Sequence, residues 1–180
     1  MANLKLSGDT SGVITVAAPA VAGTNTLTLP ASTSTIATTT DITGPAFSAY
    51  ATSTQSIANS TNTKVVYDSE DFDTNSNFAT SRFTPTVAGY YQINAGLFCA
   101  GGSGGGILYV YKNGSSSLAL DRSALSSSFN EGLSGGALVQ CNGSSDYLEI
   151  YINQNSGGAL SFGNGAKDGC WFNGFLARKS

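Results

Sequence analysis

No histidine occurs among the 180 residues. That removes Ser-His-Asp and Cys-His nucleophile systems, histidine metal ligands and a histidine pH switch. Oxygen ligands are the main metal chemistry left. Asp71, Asp73, Asn75 and Asn77 fall at alternate positions, like the start of a helix-loop-helix calcium loop. The sixth position of such a loop is Ser76 where glycine is needed. The twelfth is Arg82 where a bidentate glutamate is needed, so this loop is excluded. Asp68, Glu70, Asp71 and Asp73 remain a candidate Ca²⁺ cluster, and their plainer reading is a solvated acidic loop. Gly101-Gly102-Ser103-Gly104-Gly105-Gly106 lacks a following Lys-Ser/Thr and reads as a flexible turn, not a phosphate cradle. The three cysteines, Cys99, Cys141 and Cys170, are widely spaced and odd in number, so free buried thiols are expected. Nothing points to a carboxylate pair for glycoside cleavage. The chain is expected not to be an enzyme and, Ca²⁺ aside, to need no cofactor.

The elements that would position these groups are short strands. Charged residues are only 11% of the chain and the net charge is −3, so nucleic acid is not an expected partner. No stretch reaches the roughly 20 apolar residues of a membrane span. The opening residues Met1–Leu6 lead into Ser7, Gly8 and Asp9, so they lack the apolar core of a secretory signal. Synthesis in a cytoplasm is the expectation. Gly, Ser, Thr and Asn fill the polar positions between Val-, Ile-, Tyr- and Phe-rich runs, which predicts an all-β chain.

Residues 1–45 differ from the rest, with no aromatic residue and long Thr/Ala/Ser runs. Val13–Val16 and Thr24–Pro30 have strand character there, the second alternating Thr with Leu27 and Leu29. Gly44-Pro45 is a strong break, and the boundary is placed there. From Ala46 onward, turn signals separate about eight strand-like runs: 46–51, 64–67, 90–100, 107–112, 118–121, 136–141, 147–153 and 170–177. Asn113-Gly114, Ser134-Gly135-Gly136 and Asn142-Gly143 are among those signals. Asn173-Gly174 is read as a bulge inside the last strand.

Strand alternation predicts a core of Phe83, Tyr91, Ile93, Leu97, Val110, Val139, Leu148, Ile150, Ile152, Phe172 and Leu176. It turns Tyr90, Phe98 and Leu138 to an outer face. On other strands it turns Tyr109, Tyr111, Tyr147 and Tyr151 outward, together with Glu149. These four tyrosines could bind a sugar or protein, or pair across strands to stabilise the sheet.

Several residues from Ala46 onward resemble the C1q/TNF-like pattern in order. They are Ala46-Phe47-Ser48-Ala49, Val65-Val66-Tyr67-Asp68, Arg82-Phe83-Thr84-Pro85 and Val87–Ile93. Tyr111-Lys112-Asn113-Gly114, Asp146–Ile150 and the closing Trp171-Phe172-Asn173-Gly174-Phe175-Leu176 follow. Separately, Val16–Ala31, with its APAVAGTNTLTLP string, resembles a segment of phage tail-fibre and virion structural proteins.

The first resemblance implies a jelly-roll sandwich of about ten strands that forms trimers and binds partners. It places Tyr90, Phe98 and Leu138 at the trimer interface. It also allows Ca²⁺ at the acidic cluster, within one chain or across subunits. The second implies a bacteriophage particle component located in the virion after assembly in the host cytoplasm. Together they predict residues 1–45 as an extended virion-attachment and trimerisation segment and residues 46–180 as the head. The expected partners are itself, other virion proteins through residues 1–45, and a host surface glycan or protein. The alternatives are a capsid or tail decoration or plug protein without a receptor, and a bacterial C1q-like binding module.

Overall fold

A computed structural model describes residues 3–7, 11–17, 23–24, 31, 43–99, 101–125 and 131–180. No helix occurs among them. The chain divides into two compact units, Met1–Ala37 and Thr38–Ser180.

In the first unit β1 (Asn3–Ser7) pairs antiparallel with β2 (Val13–Ala17). The second of these strands was expected and the first was not. The strand expected over Thr24–Pro30 lies, beyond Thr24, outside the described residues.

The second unit is a sandwich of two sheets in which every pairing between strands is antiparallel. The front sheet runs β11 (Ser115–Leu125), β10 (Gly104–Lys112), β13 (Leu148–Gln154), β8 (Arg82–Phe83), β7 (Phe78–Ala79), with β5 (Thr63–Lys64) also on β13. The back sheet runs β4 (Gln55–Ile57), β14 (Leu160–Phe162), β9 (Gly89–Cys99), β15 (Cys170–Lys179), β3 (Ala46–Tyr50), β6 (Ser69–Asp73). β12 (Glu131–Cys141) adds to it along β9. This is the all-β jelly-roll sandwich that the sequence predicts.

Packing follows the pleat. Tyr91, Ile93, Ala95, Leu97 and Cys99 of β9 are all buried, as period-2 alternation requires. Every expected core residue is buried except Leu176, which is half-buried and covers Gly44 and Gly89. The alternation does not reveal how the two sheets lock. Phe47 of the back sheet lies 4.3 Å from Phe83 and 5.1 Å from Phe78, both of the front sheet, and 4.9 Å from Phe172. Offset and edge-on contacts of this kind add about 0.5–1.5 kcal/mol per pair beyond area burial.

Three local expectations are corrected. Ser134-Gly135-Gly136 is not a turn, because β12 runs straight through it. A Cβ at Gly135 would collide with the Leu120 carbonyl oxygen, so glycine is there for close approach between strands. The bulge in β15 sits between Leu176 and Arg178, not at Asn173-Gly174. Gly174 instead lets Phe47 and Ile93 pack within about van der Waals contact of the strand backbone. The residues expected to be an acidic loop form an edge strand, β6. Asn113-Gly114 behaves as expected. Both have positive φ (54° and 77°) and close the two-residue hairpin between β10 and β11.

None of the three cysteines is in a disulfide, and all three are buried. Burial pushes the Cys141 thiol up to about 11 and the Cys170 thiol up to about 12.

Two buried tyrosines differ in one respect. The Tyr91 hydroxyl donates to the Val87 carbonyl at 2.7 Å. The Tyr67 hydroxyl is buried and has no hydrogen-bond partner among the described residues. Glu149 of β13 is also buried, with 2% exposure, and takes Lys64 Nζ at 2.7 Å and Arg82 Nε at 2.9 Å. These cations come from β5 and β8, so one carboxylate ties two short strands to β13. Burial raises the Glu149 pKa, but the hydrogen bonds from Lys64 and Arg82 outweigh it and hold the group below its ordinary value.

In denaturant unfolding, Tyr91→Phe is expected to cost about 1 kcal/mol. Tyr67→Phe is expected to leave stability unchanged or raise it by about 1 kcal/mol, because it removes an unmatched hydroxyl at constant shape. A loss at Tyr67 equal to that at Tyr91 overturns this assignment. For Glu149, whose pKa is depressed in the fold, the stabilisation is present above the ordinary glutamate range. It is lost as pH falls through the folded-state value. Glu149→Gln is expected to lower stability by about 1.5–3 kcal/mol at neutral pH and to flatten the acid limb of the stability–pH curve. An unchanged acid limb contradicts the clamp.

Candidate functional site

The outward face of the back sheet is where exposed apolar side chains gather. The register of β12, β9, β15, β3 and β6 lays that face out in rows. Gln140, Tyr90 and Arg178 form the first row. Leu138, Gln92, Phe175 and Ala46 form the second. Gly136, Asn94, Asn173, Ser48 and Phe72 follow. Ser134, Gly96, Trp171, Tyr50 and Ser69 come next, then Gly132 and Phe98.

Tyr90, Phe98 and Leu138 do share this outer face, but they do not form one cluster. Leu138 (59% exposed) and Tyr90 (41%) line one depression with Ala177–Ser180. Phe98 is half-buried eight residues along β9, about 27 Å away in an extended strand. Its backbone is held by Gly169 and Gly163.

The face has apolar members that the expectation omitted. Phe175 (49% exposed) and Phe72 (50%) line a second depression beside Ser48 and Asn173. Trp171 lies across Gly96, where a Cβ would stand 2.6 Å from the indole Nε1. Phe175 was legible: with Phe172 in the core, parity along β15 turns Phe175 outward. Phe72 was not, because its stretch did not read as a strand.

Between the two depressions runs a line of amides. Gln92 Nε2 donates to Asn94 Oδ1 at 3.1 Å, and Asn94 Nδ2 donates to Asn173 Oδ1 at 3.1 Å. The middle of the face is thus polar and internally hydrogen-bonded, with apolar flanks.

The four acids of the candidate Ca²⁺ cluster are turned to different partners. Asp68 accepts the backbone N–H and the hydroxyl of Thr52, which lower its pKa. Asp71 takes Lys167 and the Ser48 hydroxyl, which lower its own. Asp73 accepts the backbone N–H groups of Asn75 and Phe78. Glu70 is exposed on the edge strand, and its side chain makes no hydrogen bond or ion pair with a described residue. No group of three or more His, Cys, Asp or Glu is placed to hold a metal among the described residues. The four carboxylates do not converge within one chain.

Tyr109, Tyr111, Tyr147 and Tyr151 lie on the front sheet, but not as open rings. Tyr111 and Glu149 point away from the core as expected, but Tyr111 is buried and Glu149 is sealed beneath the group. Tyr111 stacks on Tyr151 at 3.9 Å and meets Tyr109 edge-on at 6.2 Å. The Arg82 guanidinium sits 3.8 Å over Tyr147, and Arg122 lies 5.8 Å from the Tyr109 ring centre. Asn62 donates to the Tyr111 hydroxyl and accepts from Asn153. The ring faces are occupied by one another and by the arginines, as in cross-strand pairs that stabilise a sheet.

The sequence matches no protein-family model and no curated protein. Similar solved structures do exist. The globular domain of zebrafish complement 1qA is 22% identical, with a TM-score of 0.59, over 77% of this chain and 100% of that one. Murine APRIL at pH 8.5 is 10% identical, with a TM-score of 0.54, over 73% and 98%. Eiger TNF from S. frugiperda is 8% identical, with a TM-score of 0.55, over 76% and 92%. At such identities the likeness is one of fold, and the fold is the C1q/TNF-like jelly roll.

Proposed function

We propose that this chain is a homotrimeric bacteriophage virion structural protein. In this reading it is a fibre or appendage whose jelly-roll head contacts the host or other virion proteins. The carrying observation is the back-sheet face, where Leu138, Tyr90, Phe175 and Phe72 stand half exposed on one surface. Exposed apolar side chains gathered on one face mark an interaction site. Identical copies burying this face against one another is the simplest occupancy.

The first unit supports the same reading. Among the described residues β1 and β2 pair only with each other, and a two-stranded sheet is marginal in water, so both gain from strands that further copies would supply. The particle setting rests on the likeness of Val16–Ala31 to virion segments. The role is binding or structural and not catalytic: there is no histidine, and the Cys141 and Cys170 thiols are buried with raised pKa values.

Light scattering of the full chain is expected to give three times 18.3 kDa. Leu138→Asp is expected to shift the mass toward one chain while the circular dichroism spectrum stays β-rich. A wild-type monomer, or a Leu138→Asp trimer of unchanged stability to dilution, removes this interface. Detection of the chain in purified particles, with host-cell binding by the protein, supports an attachment role. Presence in particles without cell binding assigns it to decoration or plugging.

A further inference from the structure

Four Asn-Gly pairs occur in the sequence, at 113–114, 142–143, 164–165 and 173–174. Glycine has no Cβ to shield its backbone nitrogen, so such a pair can cyclise onto itself wherever the chain is free to turn. Three of the pairs are held by residues outside their own turn. Asn113 Nδ2 donates to Asp146 at 2.7 Å, and its Oδ1 accepts the Tyr147 N–H at 3.0 Å. Asn142 Oδ1 accepts the N–H groups of Ser144, Ser145 and Asp146. Gly143 beside it is wedged on Val87 and Ala88, where a Cβ would stand 2.2 Å from the Ala88 nitrogen. Asn173 accepts from Asn94 Nδ2 at 3.1 Å, and Gly174 lies in β15 between β9 and β3. Asn164-Gly165 differs. It sits in the 163–169 loop between β14 and β15, whose two ends are tied to the backbone of Phe98. Residues 164–168 are all exposed. Among the described residues, the hydrogen bonds of the Asn164 side chain stay within this loop, from the Ala166 N–H at 2.9 Å and to Asp168 Oδ1 at 3.2 Å. A Cβ on Gly165 would meet nothing closer than the Thr52 carbonyl oxygen at 3.5 Å.

We infer that Asn164 is a site of spontaneous deamidation, with water as the second reactant. The Gly165 nitrogen bonds to Asn164 Cγ and the Cγ–Nδ2 bond breaks. Nδ2 leaves as ammonia, carrying the proton that the Gly165 nitrogen gives up. Water then opens the five-membered imide. Opening at the side-chain carbonyl leaves aspartate at 164. Opening at the main-chain carbonyl leaves isoaspartate, which adds one carbon to the backbone path. Ring closure needs the loop to depart from its resting turn. Hydrogen bonds confined to an exposed loop tip open at a far smaller free energy than those of a core strand. Either product places a second carboxylate beside Asp168, where an N–H donor had been. The same loop carries Lys167, which pairs with Asp71 of β6 at 2.5 Å. The chemistry needs no contact between copies.

The test is peptide mapping by mass spectrometry of the full chain aged in mildly alkaline buffer, which promotes loss of the glycine amide proton. Replacement of –NH2 by –OH is followed at all four pairs, in folded protein and in protein aged in denaturant. In the folded protein Asn164 is expected to react at least about tenfold faster than Asn113, Asn142 and Asn173, a barrier lower by about 1.4 kcal/mol. In denaturant, where no pair is confined, the four are expected to react at comparable rates. Both aspartate and isoaspartate are expected at position 164. If Asn164 reacts no faster than the other three in the folded protein, the loop does not single it out and the assignment is wrong. If Asn164 leads by the same margin in denaturant, its neighbours in sequence set the rate and the fold does not. Aspartate without isoaspartate excludes the imide.

Discussion

The pleat of β9 governs the second unit. Its odd-numbered residues from Tyr91 to Cys99 enter the core, and the intervening ones face out. Three other strands, β12, β14 and β15, hydrogen-bond to it, and β3 is phased through β15. A slip of one residue anywhere in this set would send Ile93 or Phe172 into solvent and bring Asn94 or Asn173 into the core. The register is therefore held by burial on one side only. The opposite side is free to carry whatever pattern a partner requires.

That pattern is two apolar flanks around an amide line. An all-apolar face would bind in many orientations. Amides that are already paired with one another tolerate burial only where no neighbour disrupts them. The polar centre narrows the arrangements a partner can adopt, at some cost in contact energy.

Much of this was readable from the residues, and the misses have physical causes. Alternation located the core because β9, β13 and β15 each bury one face. It separated Tyr90 and Leu138 from the core for the same reason. It could not say that Phe98 lies far along the strand from Leu138, since cross-strand register depends on pairing partners. The glycines of β12 misled because a close strand crossing and a turn select the same residue type. The acidic edge strand looked like a loop because edge strands use charge to discourage further pairing. Tyr111 and Glu149 parity was right, but neighbouring rings and long cations covered them, and period-2 reasoning carries no information on that cover.

The cysteines bear on where such a domain can operate. Cys141 and Cys170 are buried, and burial keeps both thiols almost wholly protonated at neutral pH. The thiolate is the species that oxidises and exchanges. The Cys99 thiol is also buried and is turned to the Gly101 carbonyl. The fold therefore rests on packing and hydrogen bonds rather than on a cross-link whose presence depends on the redox surroundings.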